Sequence, residues 1–564
     1  MTFLSGPSSV SALSSRFDPD SSSRRRWPVW RLNLLVSLWL AFPANLALLR
    51  ELLLLPELHN ARGVGLALAL GLMIASGLMA LLSLFAWRGV LKPVITLLLV
   101  IAAAGAYFML AYRVVIDPTM MVNVLQTDWH ETRDLLHPLL FVALLVLAVL
   151  PAWWVWRTPL AARGVLAQAW RNMLMALVSL ALLAGVALAA FQGLSSTMRE
   201  HKSLRYTINP FNSLYAIGRV VAGVNAQRSR PLLVIGEDAR AGAPDLANGK
   251  PQLLLFVIGE TARAANFSLN GYARNTNPGL AAQGVASFRQ VYSCGTSTAS
   301  SLPCMFSHLA RKDFESSDND YQNLLDVLQR AGLAVLWIDN QSGCKGLCDR
   351  IPSVSPHALH LSAGCEGDAC FDAIMLQGLD QRIAAMPAEQ RARGVVLVLH
   401  QMGSHGPAYY KRSPPDSKPF LPECKTSALQ QCDRQAVVNG YDNTIATTDR
   451  FLTQAIDWLK TQESHYAPSL LYVSDHGESL GENNLYLHGL PYALAPDEQK
   501  HVPLIVWLSP QAQARRGASM ECLKGRLDEP LSHDNLFHSV LGLAGVTTAL
   551  YQRPLDLFSA CAGR

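Results

Sequence analysis

The chain has 564 residues, of which 50% are apolar and only 16% charged, with a formal net charge of +5 and a mean hydropathy of +0.19. That is too apolar for a plain soluble enzyme, where about 25% of residues are charged, and too polar for a protein wholly embedded in a membrane. Disorder over most of the chain and a small disulfide-stapled secreted fold are both excluded.

In chain order, residues 1–23 are Ser-rich and read as disordered, within a cytoplasmic tail spanning 1–30. Five uncharged apolar runs follow, at about 32–49, 64–87, 94–112, 138–156 and 172–192. Each suffices for a helix across a bilayer core, which takes roughly 20 residues. The predicted transmembrane domain therefore covers 31–193. A cleavable signal peptide does not fit, because the first run lacks a small-residue cleavage site and four more runs follow it. Residues 1–193 hold 14 Lys+Arg and 8 Asp+Glu, net +6, and the remaining 33 and 34 give residues 194–564 a net −1. The second part thus gives no motive for nucleic-acid binding.

Orientation follows from the cations in the short flanks. Arg16, Arg24, Arg25, Arg26, Arg31, Arg88, Lys92, Arg157, Arg163 and Arg171 lie on one side, and only Arg50, Arg62, Arg113 and Arg133 on the other. The N-terminus is predicted cytoplasmic, and five spans then place everything after residue 193 on the far side. All ten cysteines lie between Cys294 and Cys561, which suits an oxidising compartment. In a bacterium this means the inner membrane, with the domain in the periplasm. Residues 194–250 bridge the two parts. Within them, Asn209 to Val224 is amphipathic and reads equally as a membrane-surface helix or a packing helix; residues 237–251 read as a linker.

From residue 251 the pattern predicts an α/β domain. Candidate strands are Leu253–Ile258, Ala334–Ile338, Val395–Leu399, Leu470–Val473 and Leu504–Leu508, with helical stretches such as Tyr321–Ala331, Asp372–Ala385 and Thr444–Lys460 between them. Short apolar strands alternating with helices imply a mostly parallel central sheet covered on both faces. Functional groups then gather beyond the carboxyl ends of the strands. Those ends carry Glu260, then His400 and His405, then Asp475 and His476, with His488 twelve residues on. A lone His is usually core or surface, and an Asp in such a turn often only caps a helix. Together, these are the nitrogen and oxygen ligands that Zn²⁺ takes. The segment CGTSTASSLPC, Cys294 to Cys304, offers hydroxyls where a helix start would favour an incoming phosphate. From composition alone it reads equally as a capped helix start pinned by a disulfide.

VIGETAR around Glu260, CGTSTASSLPCMF around Thr298, HQMGSHGPAYY around His405 and SDHGESLGEN…YLHGLPYALAP from Asp475 to Pro496 resemble the phosphoethanolamine–lipid A transferases. That family includes the mobile colistin-resistance enzymes and belongs to the alkaline phosphatase/sulfatase superfamily. The resemblance implies that Glu260, Thr298, Asp475 and His476 bind zinc, with Thr298 as the nucleophile. It implies that His405 and His488 bind the donor phosphate or a second zinc, and that Lys345 lies at the substrate pocket. Thr296, Ser297 and Asn340 are further candidates there, and His400 is expected in a supporting or core position. His308 stands where the family more often has Tyr.

The implied reaction moves phosphoethanolamine from phosphatidylethanolamine to a lipid A phosphate through a threonine intermediate, with polymyxin resistance as the outcome. One zinc is expected to bind firmly, with a second as an option in turnover, and the protein is expected to be a monomer. Short separations favour the disulfides Cys294–Cys304, Cys344–Cys348, Cys365–Cys370 and Cys424–Cys432, leaving Cys522 with Cys561. Spacing alone leaves the pairing open, and a CxxxC segment can also hold metal; the far-side placement and the resemblance both argue for disulfides. The alternatives are a related transferase with another acceptor (core sugar, Kdo or glycan), a phosphoglycerol transferase, and, further off, a sulfatase or phosphatase. A transporter is disfavoured, because the spans hold almost no ionisable residues.

Overall fold

A computed structural model of the chain describes residues 26–127, 129–161, 163–227, 231–242, 249–356, 365–366 and 369–562. The Ser-rich stretch 1–23, expected to be disordered, lies outside the described residues.

Five helices are long and apolar enough to cross a membrane: Val29–Leu53, Ala61–Leu84, Leu91–Tyr112, Pro138–Arg157 and Val165–Ala189. The first is broken by a 3-10 turn at Pro43–Asn45, where proline removes a helical N–H. The fifth begins seven residues before the apolar run at 172. Its early polar residues are satisfied internally: Gln168 and Asn172 both donate to the Ala86 carbonyl, at 3.1 and 3.2 Å. Most of this helix's apolar surface is uncovered by protein, as expected of a helix facing lipid tails.

The bridging segment forms the helix Phe191–Glu200, a 3-10 stretch Lys202–Thr207 and the helix Phe211–Gln227. Asn209, fully buried, ties it to the membrane helices. Its backbone N–H donates to Asn45 Oδ1 at 2.9 Å, and its amide donates to the Ala44 and Ala102 carbonyls. The amphipathic stretch is thus helical; it packs beside the helix Pro118–Gln126 and leaves Tyr215 and Val221 exposed. The expected linker is partly ordered, since Arg240–Ala241 pairs antiparallel with Val546–Thr547.

The domain that follows residue 251 is built on a seven-stranded sheet, in the spatial order 286–288, 504–508, 467–474, 252–259, 395–400, 334–339, 353–354. The five strands from 467–474 to 353–354 are parallel. Leu504–Leu508 runs antiparallel to 467–474, because the connection between them is an irregular excursion rather than a crossover helix. On the central strand, Leu254, Phe256 and Ile258 face one core with Phe306, Trp337 and Phe537. Leu253, Leu255 and Val257 face the other, against the helix Arg434–Thr461 through Val437, Tyr441, Ile445 and Leu452. This two-sided burial explains why the strands read as unbroken apolar runs. Tyr112, at the end of the third span, joins the second core, and its hydroxyl donates to the Ser427 carbonyl at 3.0 Å. The membrane and catalytic parts therefore share one apolar interior.

Two expected helices are shorter than read. The helix Leu324–Arg330 starts late, at an Asn323/Asp326 capping box. Asp372–Ala385 is split by Gly378, whose φ of +71° is left-handed. The ten cysteines pair as Cys294–Cys304, Cys344–Cys348, Cys365–Cys370, Cys424–Cys432 and Cys522–Cys561.

Candidate active site

The parallel strands deliver their side chains to one edge. Glu260 follows the strand Gln252–Gly259, and Asp475 and His476 follow Ala467–Ser474. The three are fully buried, and their ligand atoms lie within 4.8 Å of one another. Thr298 opens the helix Thr298–Met305 directly above them. Its hydroxyl lies 3.0 and 3.2 Å from the two Glu260 oxygens and 3.4 Å from His476 Nε2. Ser301, one turn on, donates to the Asp475 carbonyl at 2.5 Å and pins this helix to the end of the strand Ala467–Ser474.

The charges within the cluster interact strongly. Burial works against a charged His476, but Asp475 and Glu260 outweigh it and raise the imidazole to about 10. Burial, then repulsion from Glu260, pushes Asp475 up to about 6. Asp475 Oδ2 is buried without a hydrogen-bond partner among the described residues. A buried oxygen left over in a set of two carboxylates and one imidazole is suited to a cation, and this donor set matches zinc. Thr261 sits at φ +59°, a strained conformation for a β-branched residue. It is held there by its N–H on Asp475 Oδ1, its hydroxyl on Glu260 Oε1 and the Tyr441 hydroxyl on its carbonyl.

The other sequence candidates divide into two groups. The rings of His405 and His488 lie 5.7 Å apart, and His488 is 4.3 Å from His476. Glu478 accepts from His488 Nδ1 at 2.7 Å and from the Tyr409 hydroxyl at 2.5 Å, and burial pushes its carboxyl up to about 8. Lys345 reaches Ser342 Oγ at 2.8 Å and the Gln126 carbonyl at 3.2 Å, at the seam with the membrane part. Thr296 donates to the Leu490 carbonyl, Ser297 pairs with Ser300, and Asn340 turns away to Asp372 at 2.8 Å. His400 is fully buried beside Asp339. His308 is packed against Tyr321 and Phe537 in the far core.

Sequence reading missed four contributors. Gln341 donates to Glu260 Oε2 at 3.2 Å and to Glu131 at 2.9 Å. Glu131 comes from the helix Trp129–Leu135 of the membrane part and lies 3.7 Å from His405 Nε2. One turn on, Asp134 is bonded to both Lys411 and Arg412, and Arg412 also donates to the His405 carbonyl at 3.0 Å. The membrane part thus holds the His405 loop. Between them lies a cavity of about 330 Å³, with apolar walls including Tyr112, Val124 and Leu140, and with Glu131, His405 and His488 at its polar end. Asp134→Ala leaves the Arg412 guanidinium, 7% exposed, without its partner. The expected cost is roughly 3 kcal/mol in docking of the two parts, read by thermal unfolding of the full chain.

His533 is the fourth. It accepts from the Cys294 N–H at 3.0 Å, lies 3.3 Å from Ser301 Oγ and donates to the Ser474 carbonyl at 3.0 Å. It therefore joins the Cys294–Cys304 segment to the strand Ala467–Ser474. Burial pushes its imidazole down to about 3 from an ordinary 6.5. The folded chain refuses a proton that the unfolded chain takes, so the stability this group supports is whole above pH 6.5 and is lost progressively as pH falls toward 3. His533→Ala is expected to cost about 1–3 kcal/mol at neutral pH. It should also flatten the acid side of the melting-temperature profile, as read by thermal unfolding from pH 7 to 5.

Comparison with known proteins adds the following. Residues 252–546 match the Sulfatase family, and residues 74–224 match the family described as Phosphoethanolamine transferase EptA/EptB. The chain is 39% identical to phosphoethanolamine transferase EptA of Escherichia coli K12, over 94% of this chain and 96% of that protein. It is 40% identical to phosphatidylethanolamine transferase Mcr-1 of Escherichia coli, over 82% of this chain and 85% of the relative. The structure of the integral membrane lipooligosaccharide phosphoethanolamine transferase A from Neisseria meningitidis is similar with a TM-score of 0.89 and 34% identity, covering 95% of this chain and 99% of that one.

Proposed function

The chain belongs to the phosphoethanolamine transferase family of EptA and Mcr proteins, and from that membership we infer that it transfers phosphoethanolamine from phosphatidylethanolamine to a phosphate of lipid A. It is a multi-pass inner-membrane protein with its catalytic domain in the periplasm. The observation that carries the reading is the Thr298 hydroxyl bonded to both Glu260 oxygens inside a buried ligand set.

In the first half-reaction, Thr298 Oγ1 loses its proton and forms a bond to the donor phosphorus. The bond from phosphorus to the glycerol oxygen breaks, and diacylglycerol leaves protonated. In the second, an oxygen of a lipid A phosphate attacks the same phosphorus, and Thr298 leaves and regains a proton. Zinc held by Glu260, Thr298, Asp475 and His476 would lower the pKa of the threonine hydroxyl. His405 and His488, at the polar end of the cavity, are placed to bind the phosphate oxygens, with Glu478 fixing the His488 ring. Gln341 bonds Glu131, which lines that cavity, Lys345 bonds the Gln126 carbonyl nearby, and Thr296 and Ser297 hold the loop before the nucleophile. The hydroxyl is aligned before substrate arrives, as an in-line displacement requires.

Both substrates are membrane lipids, which accounts for a cavity shared by the membrane and catalytic parts. Capping a lipid A phosphate adds a cationic amine and removes charge that cationic peptides bind. Expression in a polymyxin-sensitive Gram-negative host tests the reading. Lipid A should gain the mass of phosphoethanolamine, together with polymyxin resistance; unmodified lipid A with a modified core sugar or glycan would overturn the acceptor assignment.

A further inference from the structure

A second cavity, of about 290 Å³, lies beside the first. The two share a dividing wall. Along the strand-like segment after the third span, Val114 and Ile116 face the first cavity, while Arg113 and Val115 face the second. In the catalytic domain, Leu487 and His488 line the first, and Leu485 and Leu490 line the second. The wall is tied to the nucleophile loop. Thr296, two residues before Thr298, donates its hydroxyl to the Leu490 carbonyl at 2.6 Å and accepts from the Gly489 N–H at 2.8 Å.

The second cavity is amphipathic. Leu55, Met109 and Leu204 give it an apolar side at the ends of the membrane helices. Arg113 lies 3.4 Å from Glu51 and donates to the Asn483 carbonyl at 2.9 Å, so its charge is partly taken up. The uncommitted charge flanks the lining residues. The 3-10 stretch Lys202–Thr207 supplies Ser203, Leu204 and Thr207 to the cavity wall and exposes Lys202 and Arg205 on its outer side. Neither cation has a side-chain partner among the described residues. The bridging segment 194–227 holds Arg199, Lys202, Arg205 and Arg219 against Glu200 alone. That excess lies on the periplasmic side, against the bias that the other loops follow. Topology does not explain it, whereas an anionic ligand does.

The two substrates differ in the required respect. The donor headgroup is zwitterionic and needs no net positive surface. The acceptor carries phosphate monoesters on a sugar and acyl chains below. A glycolipid with more than one phosphate can hold one at the rim while presenting another to Thr298. We propose that the second cavity, with its Lys202 and Arg205 rim, docks the acceptor, a phosphorylated glycolipid of the same leaflet, separately from the donor cavity. The proposal rests on the transferase reading.

The test uses the full chain in lipid nanodiscs, with the double variant Lys202→Gln/Arg205→Gln. Both residues are exposed, so the fold is expected to survive. Release of diacylglycerol from phosphatidylethanolamine without acceptor reads the first half-reaction; transfer against lipid A concentration reads the second. A cation beside an anionic lipid contributes about fivefold in binding, so the variant's KM for lipid A should rise roughly 25-fold, with the diacylglycerol burst retained. An unchanged KM would overturn the proposal. So would an equal slowing of the burst, which would place the rim on the donor path. Absence of any burst in the unaltered protein would instead overturn the transferase reading.

Discussion

Thr298→Ala is expected to abolish transfer, lowering the rate by roughly 10⁴- to 10⁶-fold, as removal of a covalent nucleophile does elsewhere. The change leaves the fold nearly intact, because Thr298 is the first residue of its helix and Ser301, one turn on, still holds that helix to Asp475. A melting temperature within a few degrees of the parent, alongside lost transfer, is the expected pair of results. Thr298→Ser keeps the hydroxyl but gives up the methyl that restricts its rotamer, so partial activity should remain. Full activity in the alanine variant would show that phosphorus never passes through this residue.

Removing metal should be nearly as damaging. Chelation is expected to cost at least about 10³-fold in transfer, with recovery on adding zinc back, because the hydroxyl then faces both Glu260 oxygens, which oppose an alkoxide. Without a cation, Glu260 and Asp475 face each other as two buried carboxylates balanced chiefly by His476. Asp475→Asn should give the same loss together with reduced zinc content. The fold should survive chelation, since the two cores and five disulfides do not depend on the cluster. Undiminished transfer by a metal-free preparation would contradict the assignment of the cluster.

Much of this architecture is visible in the residues, for identifiable physical reasons. The spans show because a bilayer demands long uncharged runs, and the parallel strands show because burial on both faces makes them uniformly apolar. Glu260, Asp475 and His476 show because parallel strands place their following residues at one edge. Glu131 and Asp134 do not show. Each touches the catalytic domain across more than 200 residues of sequence, and within the loop they look like ordinary solvated acids. His533 is hidden for a different reason, since the segment around it reads as a plain helix cap, which it also is. At the end of the strand Ala334–Asp339, neighbouring residues diverge: Asn340 bonds Asp372, while Gln341 bonds Glu260. Alternation along an extended chain decides between them, and a motif does not reveal its phase.

The net charge of +5 also resolves into parts. The cytoplasmic flanks hold most of the excess, as their topology requires, and residues 251–564 hold 25 Lys+Arg against 30 Asp+Glu, net −5. The remaining cations of note are those of the bridging segment, among which Lys202 and Arg205 flank residues that line the second cavity.

The most direct measurement is the mass of the peptide containing Thr298 after the full chain is incubated with phosphatidylethanolamine, first without lipid A and then with it. A phosphoethanolamine adduct on Thr298 should appear in the first sample and disappear in the second as lipid A gains the same mass. No adduct, or one that persists while lipid A is modified, would contradict the covalent relay.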